Sequence, residues 1–302
     1  MGLDTNGIRL VLLAKRLGAD FKDVVTIGRQ ELHLTQAQLQ KELANFNVPC
    51  PGHFASGDNS YSESFFSLLG ARDTQAIDNS DYENATIVHD MNNHLPEHFK
   101  GKFSVVVDAG TLEHVFNYPV ALKNSMELLR KGGFFISITP ANNFMGHGFY
   151  QFSPELFFSV FTSENGFELI KLLVCETYDD AQWYEVSKPK GGIHGRVSLI
   201  NHHPTYLMCL ARRLNDKCEP FKTTPQQSDY IEAWGHSSHG EGSLDVSNAK
   251  KSWFTNTAKV MLKHVPGIMP LVRNFRYTFK PTYPERHYTP IDLNNYYNTK
   301  DK

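Results

Sequence analysis

Cysteine is scarce in this chain. Its 302 residues include four, Cys50, Cys175, Cys209 and Cys218. No two of them have the C-x-x-C spacing of structural zinc sites, and so few do not make a disulfide scaffold. Cys175 and Cys209 fall in apolar runs, where a free thiol packs as a small hydrophobe. A reducing, cytoplasmic compartment is the expectation. Long apolar runs are also missing: none approaches the roughly 20 residues of a membrane span. Residues 1–13 carry Asp4 and Arg9 and lack a signal-peptide apolar core with a small-residue cleavage site. An excess of one charge is absent too. The formal net charge of −2 gives no global basic field, and no base-stacking motif occurs, so nucleic acid is not an expected partner. The G-x-G-x-x-G turn of dinucleotide-binding units does not occur, which counts against a nicotinamide-dependent oxidoreductase.

What is present is organised around residues 103–140, FSVVVDAGTLEHVFNYPVALKNSMELLRKGGFFISITP. The β-branched run from Phe103 to Val107 suits a strand buried on both faces. Asp108 to His114 leaves it as a loop. Leu122, Met126 and Leu129 recur at helical spacing, which predicts a helix over 119–130. Lys131-Gly132-Gly133 is expected to end that helix, because glycine takes the left-handed cap without a Cβ clash. Residues 134–138 form a second buried strand, stopped at Thr139-Pro140. A βαβ unit of this kind crosses over right-handed and puts both strands in one parallel sheet. Its ligands bind beyond the carboxyl ends of the strands.

The pattern strand, D-x-G-x-x-E-H, helix, L-L-x-x-G-G, strand, P resembles the fourth and fifth motifs of class I S-adenosylmethionine-dependent methyltransferases. The resemblance extends more weakly over residues 23–214. It implies an α/β fold with a Rossmann-like seven-stranded sheet in the order 3-2-1-4-5-7-6, the seventh strand antiparallel, and helices on both faces. It also implies S-adenosylmethionine as cofactor. The expected layout is a methyltransferase domain over 1–214, with an insertion at about 46–71, then a polar linker and a C-terminal extension over 215–302.

Taken in order, residues 8–17 predict a short helix. Residues 23–28 predict the first strand and its glycine turn. The first motif is here Ile27-Gly28-Arg29-Gln30-Glu31, with one glycine in place of two or three. Gly28, Arg29 and Gln30 are cofactor-binding candidates. Arg29 either pairs with the carboxylate of the methionine moiety or makes a structural salt bridge. Thr35 is a plausible N-cap for a helix over 36–45, and residues 61–69 suit a second helix. Asp78 ends the predicted second strand, fifty residues after Gly28, where an acid accepts from a ribose diol. Tyr82 and Glu83 are lesser candidates. Asp90 ends the third, where the family often has an acid facing the adenine amino group; a turn residue is the alternative. Met91 is a candidate for packing on the purine. By the resemblance, Asp108 and Gly110 border the methionine moiety.

Methyl transfer to a hydroxyl gains from a base that removes the acceptor proton. His114, and His147 in the Gly- and Asn-rich loop after the fifth strand, are the candidates. Glu113 either orients His114 or caps the following helix. The acidic cluster that some relatives use for a divalent ion has Gly110 at its first position, so no metal is expected. Ser153-Pro154 predicts a helix start, and strands are expected at 169–175 and 205–211. The polarity of residues 142–151 suits a polyhydroxylated acceptor, so the expected activity is O-methylation of a small molecule or saccharide. Residues 250–286 are basic and aromatic, suited to packing on the domain or to peripheral membrane contact. A cofactor-free scaffold is the rival reading, resting on the glycine-poor first motif.

Overall fold

The β-branched runs of the sequence form the centre of a nine-stranded sheet. The computed structural model describes residues 2–50, 60–189, 196–216, 219–231, 234 and 283–297. The strands of this sheet are β2 (Asp23–Ile27), β4 (Asp73–Asp78), β5 (Ile87–Val88), β6 (Phe103–Ala109), β7 (Leu129–Asn142), β8 (Phe167–Glu176), β9 (Trp183–Val186), β10 (Thr205–Arg213) and β11 (Tyr288–Ile291). They lie in the order β11-β9-β8-β10-β7-β6-β2-β4-β5. β2, β4, β5, β6 and β7 are mutually parallel, and β10 runs antiparallel to both β7 and β8. Counted without β9 and β11, this is the order 3-2-1-4-5-7-6 with a reversed seventh strand, the class I methyltransferase fold.

Burial on both faces explains the central sequence. All seven residues of β6 are buried. Successive side chains of a strand point to opposite faces. Val105, Val107, Phe134 and Ile136 therefore join α1 (Thr5–Arg16) in one core, with Val24 of β2. Val106, Phe135, Val25 and Ile27 join α4 (Tyr118–Leu128) and α5 (Pro154–Val160) in the other. A second sheet of two parallel strands, β1 (Gly2–Leu3) and β3 (Glu31–Leu32), flanks the main one. Asp4 caps α1 by accepting from the Gly7 amide, so that helix starts earlier than its apolar spacing indicates. Thr35 and Gln38 form a full capping box at α2 (Gln36–Asn45). The helix expected at 61–69 is shorter, α3 (Glu63–Leu68).

Several expectations are corrected. Among the described residues the sheet has nine strands, because β9 and β11 extend it at one edge. β9 arises within a polar stretch and has only four residues, of which Trp183 and Val186 are buried, one in each core. β11 brings residues 288–291 of the expected extension back onto the same sheet. Lys131-Gly132-Gly133 does not cap a helix. α4 ends at Leu128, and the glycines lie in β7, where the pairing register with β6 shifts between Phe103 and Val105. β6 runs on to Ala109, so Asp108 belongs to the strand and not to the loop. The third strand is cut to two residues, β5, because Thr86 turns its hydroxyl onto the Ala76 backbone. Cys218, residues 51–58 of the insertion and the basic aromatic segment 250–282 lie outside the described residues.

Trp183 locks the added edge. It is 1% exposed, and its indole nitrogen donates to Asn6 Oδ1 at 3.1 Å. Trp183→Ala is expected to cost about 3–5 kcal/mol of folding stability in urea titrations. A change under about 0.5 kcal/mol would show the edge strands to be peripheral.

Candidate active site

The site begins with a carboxylate inside a strand. Asp108 is fully buried at the end of β6. Its Oδ1 accepts from the Thr111 and Leu112 amides, each at 3.1 Å. Its Oδ2 accepts from Ser137 Oγ of β7 at 3.0 Å. These bonds bend the chain at Gly110, which has φ +87°, into a single helical turn, Leu112–His114. That turn presents Glu113 and His114 above the sheet. Burial raises the Asp108 pKa, against the lowering effect of its three donors.

Glu113 has no such donors. Its side chain is 1% exposed, Oε2 is buried without a partner, and Oε1 lies 3.3 Å from His147 Nε2. Burial, and then the charge of Asp108, push its pKa up into a range where the neutral acid persists near neutrality. His114 is exposed, with its ring 5.0 Å from that of His147. Burial of part of its ring, and then repulsion from His147, lower its pKa, so the neutral imidazole prevails at pH 7. One donor atom each from Glu113, His114 and His147 lie within 4.8 Å of one another. Among the described residues, this is the group that could hold a divalent ion.

The loop carrying His147 is fixed from two directions. The Phe149 amide donates to the Glu113 carbonyl at 2.8 Å, and Tyr150 Oη donates to the Phe116 carbonyl at 2.6 Å. Gly148 permits this approach: a Cβ there would sit 2.9 Å from the Glu113 oxygen. On the other side, Asn143 Nδ2 donates to the Asn201 and His203 carbonyls, and Asn142 Nδ2 to Asn201 Oδ1. Asn201 in turn donates to Glu176 and Thr205. Asn142 and Asn143 belong to the polar loop singled out by sequence; Asn201 carries no motif, and sequence reasoning missed it.

The cofactor candidates divide. Register places Ile27 opposite Ile77 on one side and Asp108 on the other, so Gly28, Asp78 and Ala109 share one level. Asp78 is half-buried at the end of β4, and its side chain accepts from the adjacent Asn79 amide. Gly28 has φ +70°, and its amide already donates to Ile77 at 2.7 Å. Arg29 is occupied in the way of a structural salt bridge. It pairs with Glu63 at 2.7 Å, donates to the Glu83 carbonyl, and stacks 3.7 Å from the Tyr61 ring centre. Gln30 is buried and donates to the Ile27 carbonyl and Thr111, leaving its Oε1 without a donor. Asp90 is a turn residue: it accepts from Asn92 and Asn93, and the Asn92 amide and side chain lower its pKa. Met91 is 5% exposed and packs in the core beside Asn124. Asp108, fully enclosed by its three donors, shapes the loop from behind.

A cleft of about 200 Å³ is lined by Glu113 and His147 together with Asp4, His33, Phe144 and Tyr206. Phe144 belongs to the loop singled out by sequence; no local motif marks Asp4, His33 or Tyr206 as site residues. A larger opening, about 780 Å³, lies at the opposite edge of the sheet among paired charges such as Lys123–Glu219. Ligands of parallel sheets bind at the carboxyl edge, so the smaller cleft is the relevant one.

No family model matches this chain, and no curated protein does. Solved structures do match. The N-methyltransferase NodS from Bradyrhizobium japonicum is 12% identical, with TM-score 0.38, covering 68% of this chain and 93% of that one. The 1,6-didemethyltoxoflavin N1-methyltransferase from Burkholderia thailandensis is 14% identical, with TM-score 0.37, covering 68% and 77%. At TM-scores this low the likeness carries no weight, and the fold is defined by its own strand order.

The linkage at Glu113 has a definite sign. A carboxyl whose folded pKa is raised contributes stability that is full below its ordinary value of 4.5 and is lost as pH rises through the folded value. Glu113→Gln is therefore expected to match the wild type at pH 4 and to exceed it by roughly 1–3 kcal/mol at pH 8. Denaturant titrations at both pH values check this. A constant difference would mean that Glu113 is not held neutral by burial.

Proposed function

We propose that this chain is an S-adenosylmethionine-dependent methyltransferase acting on a hydroxyl of a small molecule or saccharide. The observation that carries the reading is the joining of Glu113, His114 and His147 at the carboxyl edge of the sheet, two strands from Asp78. Strand spacing puts the ends of β4 and β6 roughly 10 Å apart, a span suited to a nucleoside with its amino-acid tail. The residues fit such a group at the ribose end, where Asp78 has lone pairs to spare for a diol. Near Gly28, the buried Gln30 Oε1 lacks a donor that an ammonium group would supply.

When bound, S-adenosylmethionine supplies a methyl group already activated by its sulfonium. The protein then has to position the acceptor, exclude water and take one proton. Neutral His114 takes the hydroxyl proton. Glu113 and His147 hold the acceptor oxygen beside it. The largely exposed polar loop of residues 142–151, which carries His147, suits a polyhydroxylated acceptor. Among the described residues, no helix is long and apolar enough to cross a membrane.

A second reading, a scaffold without cofactor, is favoured by the engaged Gly28 amide and the engaged Arg29. Isothermal titration with S-adenosylmethionine separates the two. The enzyme should bind in the micromolar range, with Asp78→Ala at least about tenfold weaker; a scaffold gives no heat. Labelled methyl donor with sugars, phenols and lipids, read by mass spectrometry, then finds the acceptor. His114→Ala and His147→Ala should lower turnover by about 10²–10⁴ while retaining cofactor affinity. Full activity in both variants would remove the histidine base.

A further inference from the structure

We propose that the cleft between the N-terminal segment and β7 is the acceptor site, and that it selects a small ring bearing an ammonium group. The inference rests on the methyltransferase reading and names the acceptor class for that same site.

Position comes first. Glu113 and His147 line the cleft together with Asp4 and His33 of the N-terminal side. The candidates for holding the nucleoside, Gly28 and Asp78, lie at the ends of β2 and β4, across β6 from β7. The proton-handling groups therefore stand between a nucleoside region and this cleft, which is where an acceptor must be for its oxygen to meet the methyl carbon.

Size comes second. About 200 Å³ is below the roughly 300 Å³ at which drug-sized sites begin, so the cleft takes one ring, or the terminal ring of a longer chain. Phe144 and Tyr206 supply a flat side for it, their rings stacked with centroids 5.7 Å apart and an interplanar angle of 23°.

 The wall itself is rigid. β1 pairs with β3, the His33 amide donates to the Leu3 carbonyl at 2.9 Å, and a Cβ on Gly2 would sit 2.4 Å from the Glu31 oxygen.

Charge decides the class. Two carboxyl groups, Asp4 and Glu113, line the cleft, and no lysine or arginine does. An anionic acceptor would bring a third acid into a partly dry space with no cation to meet it, which costs several kcal/mol of lost solvation. An ammonium group does the reverse. It gives the buried, unpartnered Glu113 Oε2 the donor it lacks. Selection is then largely by exclusion of phosphorylated and carboxylated rings.

The test uses the full chain, saturated with S-adenosylhomocysteine, and four probes on one skeleton: glucosamine, N-acetylglucosamine, methyl glucoside and glucose 6-phosphate. Affinities are read by ligand-observed saturation-transfer NMR. Glucosamine is expected to bind at least about tenfold more tightly than the two neutral sugars, and glucose 6-phosphate most weakly. Asp4→Asn keeps the helix cap, since asparagine caps as well as aspartate, and should shrink the glucosamine preference at least about threefold. The comparison of glucosamine with N-acetylglucosamine needs no variant and stands if Asp4→Asn folds poorly. Glucose 6-phosphate binding as tightly as glucosamine, equal binding of glucosamine and N-acetylglucosamine, or no binding by any probe would overturn the proposal. Calorimetry of S-adenosylhomocysteine in the same samples reports separately on the methyltransferase reading. Its failure to bind would remove that reading, whatever the sugars do.

Discussion

The site depends on the solvation of one buried carboxylate. Asp108 has no exposure to water, so its charge must be met by the protein. Two backbone amides and the Ser137 hydroxyl meet it, and in doing so they fix the turn that follows β6. The register of β6 against β7 sets where Ser137 stands, since Asp108 pairs with it directly. A packing decision in the sheet thereby becomes the placement of Glu113 and His114. The same charge also reaches forward. It disfavours ionisation of Glu113, which sits just beyond the turn without donors of its own. One acid is structural and its neighbour is left chemically labile, and the difference between them is a count of hydrogen bonds.

The second half of the site comes from a loop that has no regular structure yet is not free to move as a unit. It is tied to the Glu113 backbone through Phe149 and to the asparagine network behind β10 through Asn142 and Asn143. His147 stands between these two attachments. Its distance from Glu113 is therefore a property of two independent sets of bonds, and each set joins segments that are far apart in sequence. This pre-organisation is what a group that must meet a substrate oxygen requires.

Much of the fold was legible in the sequence because its signals are local. The β-branched runs at 103–107 and 134–138, the glycine after β2 and the Thr35 cap each declare themselves within a few residues. The βαβ rule then supplies the parallel order. The edge strands were not legible, since β9 and β11 are four residues each and gain their stability from partners distant in the chain. Of the candidate site, Glu113, His114 and His147 were found from residue type and position at strand ends, and the fold brings them together. Arg29, Asp90 and Met91 were chosen on the same grounds, yet their side chains have other partners. What separates the two groups is which neighbour satisfies each polar or apolar surface, and that is settled by tertiary contacts. Asp4, His33 and Tyr206 reach the cleft from three different elements, so no window of sequence could contain them.

The outer edge of the sheet carries a consequence for how the molecule is made. β9 leaves the ribosome roughly 100 residues before β11, the strand that covers it. Until then its backbone donors and acceptors on that side face water, in a form open to pairing with a strand from another chain. Joining the two ends also closes a long loop, an entropic cost that makes this pairing a late event. The newborn protein thus passes through an interval with an unsealed border, closed when β11 arrives together with the core residue Tyr288.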